Sequence, residues 1–285
     1  MIIVELTGGL GNQMFQYACG RRLSLKLGVE LKTFFVPTSK RSRRKYELDC
    51  FNVVSTPASE EKIRPYYPKN RYLRFVVRNI FKPRNFIKQK GFNFERSILE
   101  LKDSVYLCGY WQSEKYFKDV EKQIRRDFTF KENLDSKNKE LLNEIKKTNS
   151  LSVHVRRQDY VRVPSARKMH GFVGEDYYRK AIEYIKSMAG NPTFFVFSDD
   201  IEWCKNNLHL DKTTHFVDHN KGDKSHRDLR LISKCKNNII ANSSFGWWGA
   251  WLNRSDKKLV IVPKMWFRDR SLKTRDLIPK GWKLI

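Results

Sequence analysis

The chain opens on an apolar run at residues 2–6, a glycine turn, and then a stretch in which Phe15, Cys19, Leu23 and Leu27 recur every four residues. That recurrence predicts one stripe of an amphipathic helix, ended by Gly28. Residues 29–35 read as the next strand. From about residue 41 to residue 91 the pattern dissolves, interrupted by Pro57, Pro65, Pro68 and Pro83, and it supports only local readings. Residues 104–109 read as a strand, with a helix from near Ser113. Residues 135–149 are polar, charged and helix-prone, a candidate bridge between two halves.

Beyond it the pattern sharpens. Nearly continuous apolar runs at 151–155, 193–197, 215–217, 238–241 and 258–262 alternate with helical segments at 176–188, 201–208, 227–235 and 245–252. In 176–188, Tyr177, Ala181, Tyr184 and Ile185 share one side. Apolar strands alternating with helices predict a parallel sheet covered on both faces, a doubly wound α/β domain. The expected division is a first domain at 1–149, beginning in the same style, and a second at 150–285. In such sheets ligands lie beyond the carboxyl ends of the strands.

Composition narrows the class. At 285 residues, 40 % apolar and 13 % aromatic, the chain is globular rather than disordered. It contains no run of about 18 apolar residues, and the N-terminus enters a strand without a basic, apolar leader. A cytoplasmic protein, soluble or peripheral on the membrane, is expected. The five cysteines are scattered and never form Cys-x-x-Cys, which argues against a disulfide framework or a cysteine-built zinc site. A net charge of +26 predicts an anionic partner: nucleic acid, acidic lipid or a phosphate-bearing substrate. Between Lys62 and Lys90 there is no acidic residue, while ten lysines and arginines interleave with tyrosines and phenylalanines. Such a mixture suits a membrane interface, or else a solvated basic face with a few core aromatics.

Four constellations fall at predicted strand ends. Gly8-Gly9-Leu10-Gly11-Asn12-Gln13 lets backbone approach a ligand and opens a helix toward an anion, or is simply a tight turn. It is neither a dinucleotide fingerprint, since Met14 stands where that pattern needs glycine, nor a P-loop. His154-Val155-Arg156-Arg157-Gln158-Asp159 places two guanidiniums at a strand mouth, suited to a pyrophosphate, with Asp159 placed to hold one of them. Ser198-Asp199-Asp200 offers carboxylates for a metal, for guanine N–H groups, or for capping the next helix. Asn242-Ser243-Ser244-Phe245 leads into a helix whose start would face a phosphate, while Trp247, Trp248 and Trp251 are expected in the core.

These segments, in this order, resemble the α1,2-fucosyltransferase family: Gly-Gly-Leu-Gly-Asn-Gln-Met-Phe, His-Val-Arg-Arg-x-Asp-Tyr, Phe-Ser-Asp-Asp and Ala-Asn-Ser-Ser-Phe-x-Trp-Trp-Gly-Ala-Trp-Leu, with Gly109–Ser113 also typical. The resemblance implies a GT-B-type architecture of two Rossmann-like domains with GDP-fucose in the cleft between them. It implies inverting transfer to the 2-hydroxyl of a galactose without metal or other cofactor. It further implies Arg156 on the β-phosphate with Asn12 nearby, His154 and Asp199 or Asp200 at the guanine, and Ser243 and Ser244 along the phosphates or ribose. Gly9, Gly11, Gln13, Arg157, Asp159, Asn242 and Phe245 complete the expected donor site. Two positions depart from the family, which usually has glycine at Gln158 and serine at Gly246.

For the general base, Glu175 and Asp176 are the nearest later carboxylates, and Asp176 is equally a helix cap. The acceptor expected is a galactose-terminated, lipid-linked oligosaccharide, reached through the basic-aromatic face against an anionic membrane. Rival readings are a related enzyme with another nucleotide-sugar donor and a basic nucleic-acid-binding protein. The second accounts for the charge but not for arginines, serines and paired aspartates gathered at parallel strand ends, so no nucleic-acid partner is expected.

Overall fold

A computed structural model describes residues 1–37 and 44–285, without the side chains of Asp159 and Arg162. The described chain divides into two compact units. The first comprises Met1–Lys131 with Lys273–Pro279, the second Glu132–Leu272 with Lys280–Ile285.

The first unit is built on a parallel sheet of β1 (Ile2–Leu6), β2 (Leu31–Phe35), β3 (Thr56–Pro57), β4 (Phe86–Lys88) and β5 (Val105–Cys108), in the order β3-β2-β1-β5-β4. β3 and β4 come from the proline-rich stretch whose pattern was unreadable. They are two- and three-residue edge strands, and an edge is where a sheet tolerates Pro57. The helix Leu10–Leu27 ends where expected, with Gly28 in the left-handed region donating to the Ser24 carbonyl. It is not amphipathic, however. Gln13, Gln16, Arg22 and Ser24 are buried alongside the apolar residues, each with hydrogen-bond partners in surrounding loops. Loops wrap the side that a stripe reading leaves to solvent. Near Ser113 the structure makes two 3₁₀ turns, Glu114–Tyr116 and Lys118–Val120, before an α-helix begins at Glu121–Asp127. The fully buried Tyr116 and Phe117 hold that segment in place of helical propensity.

The second unit has six parallel strands: β6 (Ser150–Val155), β7 (Thr193–Ser198), β8 (His215–Val217), β9 (Asn237–Ile239), β10 (Val260–Val262) and β11 (Lys283–Leu284), in the order β11-β10-β9-β6-β7-β8. Alternation along β7 shows that both faces are covered. Phe194 and Val196 pack with the helix Glu175–Ala189, while Phe195 and Phe197 pack with Ile145, Leu231 and Ile232. The doubly wound reading holds. The segment 135–149 forms the helix Ser136–Lys147, capped by Asp135, and packs in this unit against the helix Ser225–Ile232. Trp247, Trp248 and Trp251 are core, as expected, with Trp247 and Trp248 fully buried. β6 pairs with β7 on one side and β9 on the other. The chain order therefore reverses beside β6, and its carboxyl end is where a crevice is expected.

Candidate functional site

In the first unit, the glycine turn after β1 is fastened from several sides. Gly8 takes a left-handed φ of 77°, and a Cβ there would lie 2.5 Å from Asn12 Nδ2. Gln13 sits fully buried, its Nε2 donating to the carbonyls of Gly8 and Lys45 and its Oε1 accepting from the Glu47 amide at 2.9 Å. The Leu10 amide, one of the first donors of the helix, is taken by Glu47 Oε2 at 3.1 Å. Gln13 therefore shapes the turn, and one of its helix-start donors already faces a carboxylate of the chain. Gln112, within the family-typical segment 109–113 but given no site role from the sequence, donates through Nε2 to Asn12 Oδ1 at 2.9 Å, and its own buried Oε1 has no partner.

The remaining expected residues gather in the second unit around the carboxyl ends of β6, β7 and β9. His154, near the end of β6, is 5 % exposed, and its ring lies 5.6 Å from that of Phe245. Its Nδ1 is buried without a hydrogen-bond partner. Room for the imidazole comes from Gly246, where a Cβ would stand 2.6 Å from that nitrogen. Burial, reinforced by Arg156, pushes the histidine down to about 3, so the ring is neutral at working pH.

Arg156 and Arg157 leave the strand in different roles. Arg156 Nη1 meets Asp199 Oδ2 at 2.9 Å, with its side chain 24 % exposed. Arg157 is clamped: its Nε donates to Asp200 Oδ2 at 3.2 Å and its guanidinium lies over the rings of Trp203 and Phe172. Asp199 also accepts from the amides of Arg157 and Gln158, at 2.9 and 3.2 Å. Asp200 caps the helix Ile201–Asn207 through the Trp203 amide. Both aspartates thus hold the arginine turn. The side chain of Asp159 lies outside the described residues.

After β9, Asn242 is 2 % exposed and donates through Nδ2 to the carbonyls of His170 and Trp266, each at 3.0 Å. That fixes its amide and leaves Oδ1 buried without a partner. Tyr160 reinforces the fastening, with its hydroxyl donating to the Asn242 carbonyl and its ring stacked on His170. Ser243 is the N-cap residue of the helix Ser244–Leu252, yet its hydroxyl makes no capping bond. Beside these residues a cavity of about 580 Å³ is lined by His170, Phe172, Asn242, Lys264, Arg268 and Arg270. Glu175 and Asp176 open the helix Glu175–Ala189, both exposed, with Asp176 paired to Arg179 at 3.0 Å. Among the described residues, no three His, Cys, Asp or Glu side chains come together as metal ligands.

Asp228 is a carboxyl the sequence did not single out. It lies on the helix Ser225–Ile232, beside Leu229, and accepts from Asn220 Nδ2 at 2.8 Å. Burial pushes it up to about 7. Between the ordinary carboxylate range and pH 7, the folded chain keeps a proton that the unfolded chain has lost. Stability therefore falls as pH rises through that window. Asp228→Asn is expected to raise Tm at about pH 8 and leave it nearly unchanged at about pH 4, because the neutral amide mimics the protonated acid. Equal shifts at both pH values in a calorimeter would show the carboxyl to be ionised in the fold.

Likeness to known proteins bears on what this arrangement serves. The family model described as glycosyl transferase family 11 matches residues 1–285. An alpha-1,2-colitosyltransferase of Escherichia coli is 39 % identical over 99 % of this chain and 98 % of its own length. An O-antigen biosynthesis glycosyltransferase of the same species, WbnK, is 36 % identical over 92 % of this chain and 93 % of its own. Among solved structures, the fucosyltransferase NodZ from Bradyrhizobium matches with a TM-score of 0.53 over 88 % of this chain and 91 % of that one. At 15 % identity that match speaks for the fold alone, and it agrees with the GT-B-type reading.

Proposed function

Because the chain belongs to glycosyl transferase family 11, we propose that it moves L-fucose from GDP-fucose to the 2-hydroxyl of a galactose, inverting the anomeric carbon. The observation that carries this reading is Arg156 at the mouth of β6, paired with Asp199 at 2.9 Å beside a neutral His154. In the proposed step, the acceptor oxygen bonds to C1 of β-linked fucose as the C1–O bond to GDP breaks. The electron pair of that bond leaves with the diphosphate. Arg156 and the helix start at Ser243 and Ser244 stabilise the charge that develops there. The hydroxyl proton passes to a general base. Our candidate is Glu175, exposed and without an ion-pair partner among the described residues, whereas Asp176 is engaged by Arg179.

No metal and no resident cofactor enter this scheme. For the acceptor we propose a lipid-linked oligosaccharide ending in galactose, at the cytoplasmic face of the membrane. No helix among the described residues is long and apolar enough to cross a bilayer.

A second reading keeps the linkage and exchanges the sugar for colitose, named in the relative 39 % identical to this chain. Colitose is fucose without its 3-hydroxyl, so selection between the donors rests on whether the site hydrogen-bonds that group. Incubating the protein with GDP-fucose or GDP-colitose and a panel of galactosides, with linkage read by NMR, tests both. An α1,2-fucosylated product is expected. Transfer of colitose alone would favour the second reading, and product from neither donor would refute both.

A further inference from the structure

One segment of the first unit is inside-out. The helix Arg71–Val76 continues into the π-turn Val77–Phe81, and along this run Arg74 and Arg78 turn inward while five large apolar side chains point outward. Arg78 makes a paired contact with Glu5 of β1, at 2.8 and 3.1 Å, and Tyr106 donates to the same carboxylate. Arg74 folds over the Tyr67 ring at 4.0 Å and donates to the carbonyls of Pro68 and Lys69. These contacts lock the rotation of the run about its axis. Tyr72, Leu73, Phe75, Ile80 and Phe81 are left 74, 52, 60, 67 and 82 % exposed. Isolated exposed apolar residues are ordinary, but five on an eleven-residue run need a partner.

The remaining aromatics of the stretch are accounted for within the fold. Tyr66 stacks on Tyr106, Phe86 joins the same cluster, and Tyr67 packs edge-on against Phe34. The exposed set is therefore separate from the core. Its chemical surroundings choose the occupant. No acidic residue occurs between Lys62 and Lys90, and Arg64, Arg71, Lys82 and Arg84 of the same stretch stand exposed, Arg71 and Lys82 directly flanking the apolar side chains in sequence. Apolar and aromatic side chains ringed by lysine and arginine fit the boundary between acyl chains and anionic headgroups.

We propose that the run 71–81 is a membrane wedge: Tyr72, Leu73, Phe75, Ile80 and Phe81 enter the interface of an anionic bilayer, and the surrounding cations bind lipid phosphates. The lipid contact stands on its own. That it brings the enzyme to a lipid-linked acceptor rests on the transferase reading above.

Cosedimentation of the full chain with phosphatidylcholine–phosphatidylglycerol vesicles tests the wedge. Binding is expected to weaken with salt and to be much poorer on pure phosphatidylcholine. The double variant Phe75→Ser/Phe81→Ser should bind the mixed vesicles at least about tenfold more weakly, and Lys82→Glu/Arg84→Glu should do the same at low salt. Both variants should keep the wild-type Tm and the wild-type turnover of a soluble galactoside, because neither touches the Arg156 cluster. Undiminished binding by the serine variant would overturn the proposal. So would equal binding to neutral vesicles, or a dimer in sedimentation velocity that the serine variant dissolves. Failure of the wild type to transfer fucose or colitose to any soluble galactoside would sink the donor and acceptor readings above while leaving the vesicle result intact.

Discussion

Arg156→Ala is expected to abolish nearly all transfer while the protein stays folded. The leaving diphosphate gains charge as the glycosidic bond breaks, so a cation fixed beside it acts chiefly in the transition state. Losing one such preorganised contact typically costs about 100- to 1000-fold in kcat, roughly 3–4 kcal/mol. Arg156 is 24 % exposed, and Asp199 would keep two backbone amides as partners after the truncation. Tm should therefore move little. Arg156→Lys should recover only part of the activity, because an ammonium keeps the charge but not the planar fork. Single-turnover kinetics beside a melting curve checks this, and a folded alanine variant with substantial turnover would remove Arg156 from the mechanism.

Asp199→Ala should be nearly as damaging, through a different route. Asp199 holds the Arg156 guanidinium and the amides of Arg157 and Gln158 at once. Truncation removes one anchor of the arginine and leaves two amides without their carboxylate. A loss of about 1–3 kcal/mol in stability is expected together with a large fall in kcat. Asp199→Asn retains an acceptor for one amide and should fall between. The sequence left open whether this residue or its neighbour meets the base or caps the helix, and the readout can tell. A positioning role predicts that GDP and ADP affinities fall by similar factors. A contact to guanine predicts that the GDP preference itself collapses, and that outcome would return Asp199 to the nucleotide.

Much of the second unit was readable because its strands are buried on both faces. Continuous apolar runs such as 194–197 leave little choice but a covered parallel sheet, and the residues at their ends then fall at one rim. The first unit was less readable for a matching reason. β3 and β4 are edge strands of two and three residues, too short to carry a period, and the helix Leu10–Leu27 buries glutamines and an arginine that a pattern assigns to solvent. Asp228 was overlooked because a carboxyl beside Leu229 looks like an ordinary polar helix position until burial raises its affinity for a proton.

By itself, the order of residues determined the parallel α/β class of the second half, the clustering of arginines, aspartates and serines at strand ends, and the family these segments belong to. Such features depend on local period and on which residue follows which strand. Tertiary structure alone decided that Arg157 is clamped between aromatic rings, that both aspartates serve the arginine turn, and that Phe75 and Phe81 face outward while Tyr66 and Phe86 do not. Those outcomes depend on partners brought together from different elements, such as Glu5 for Arg78, and no local pattern encodes a distance across the chain.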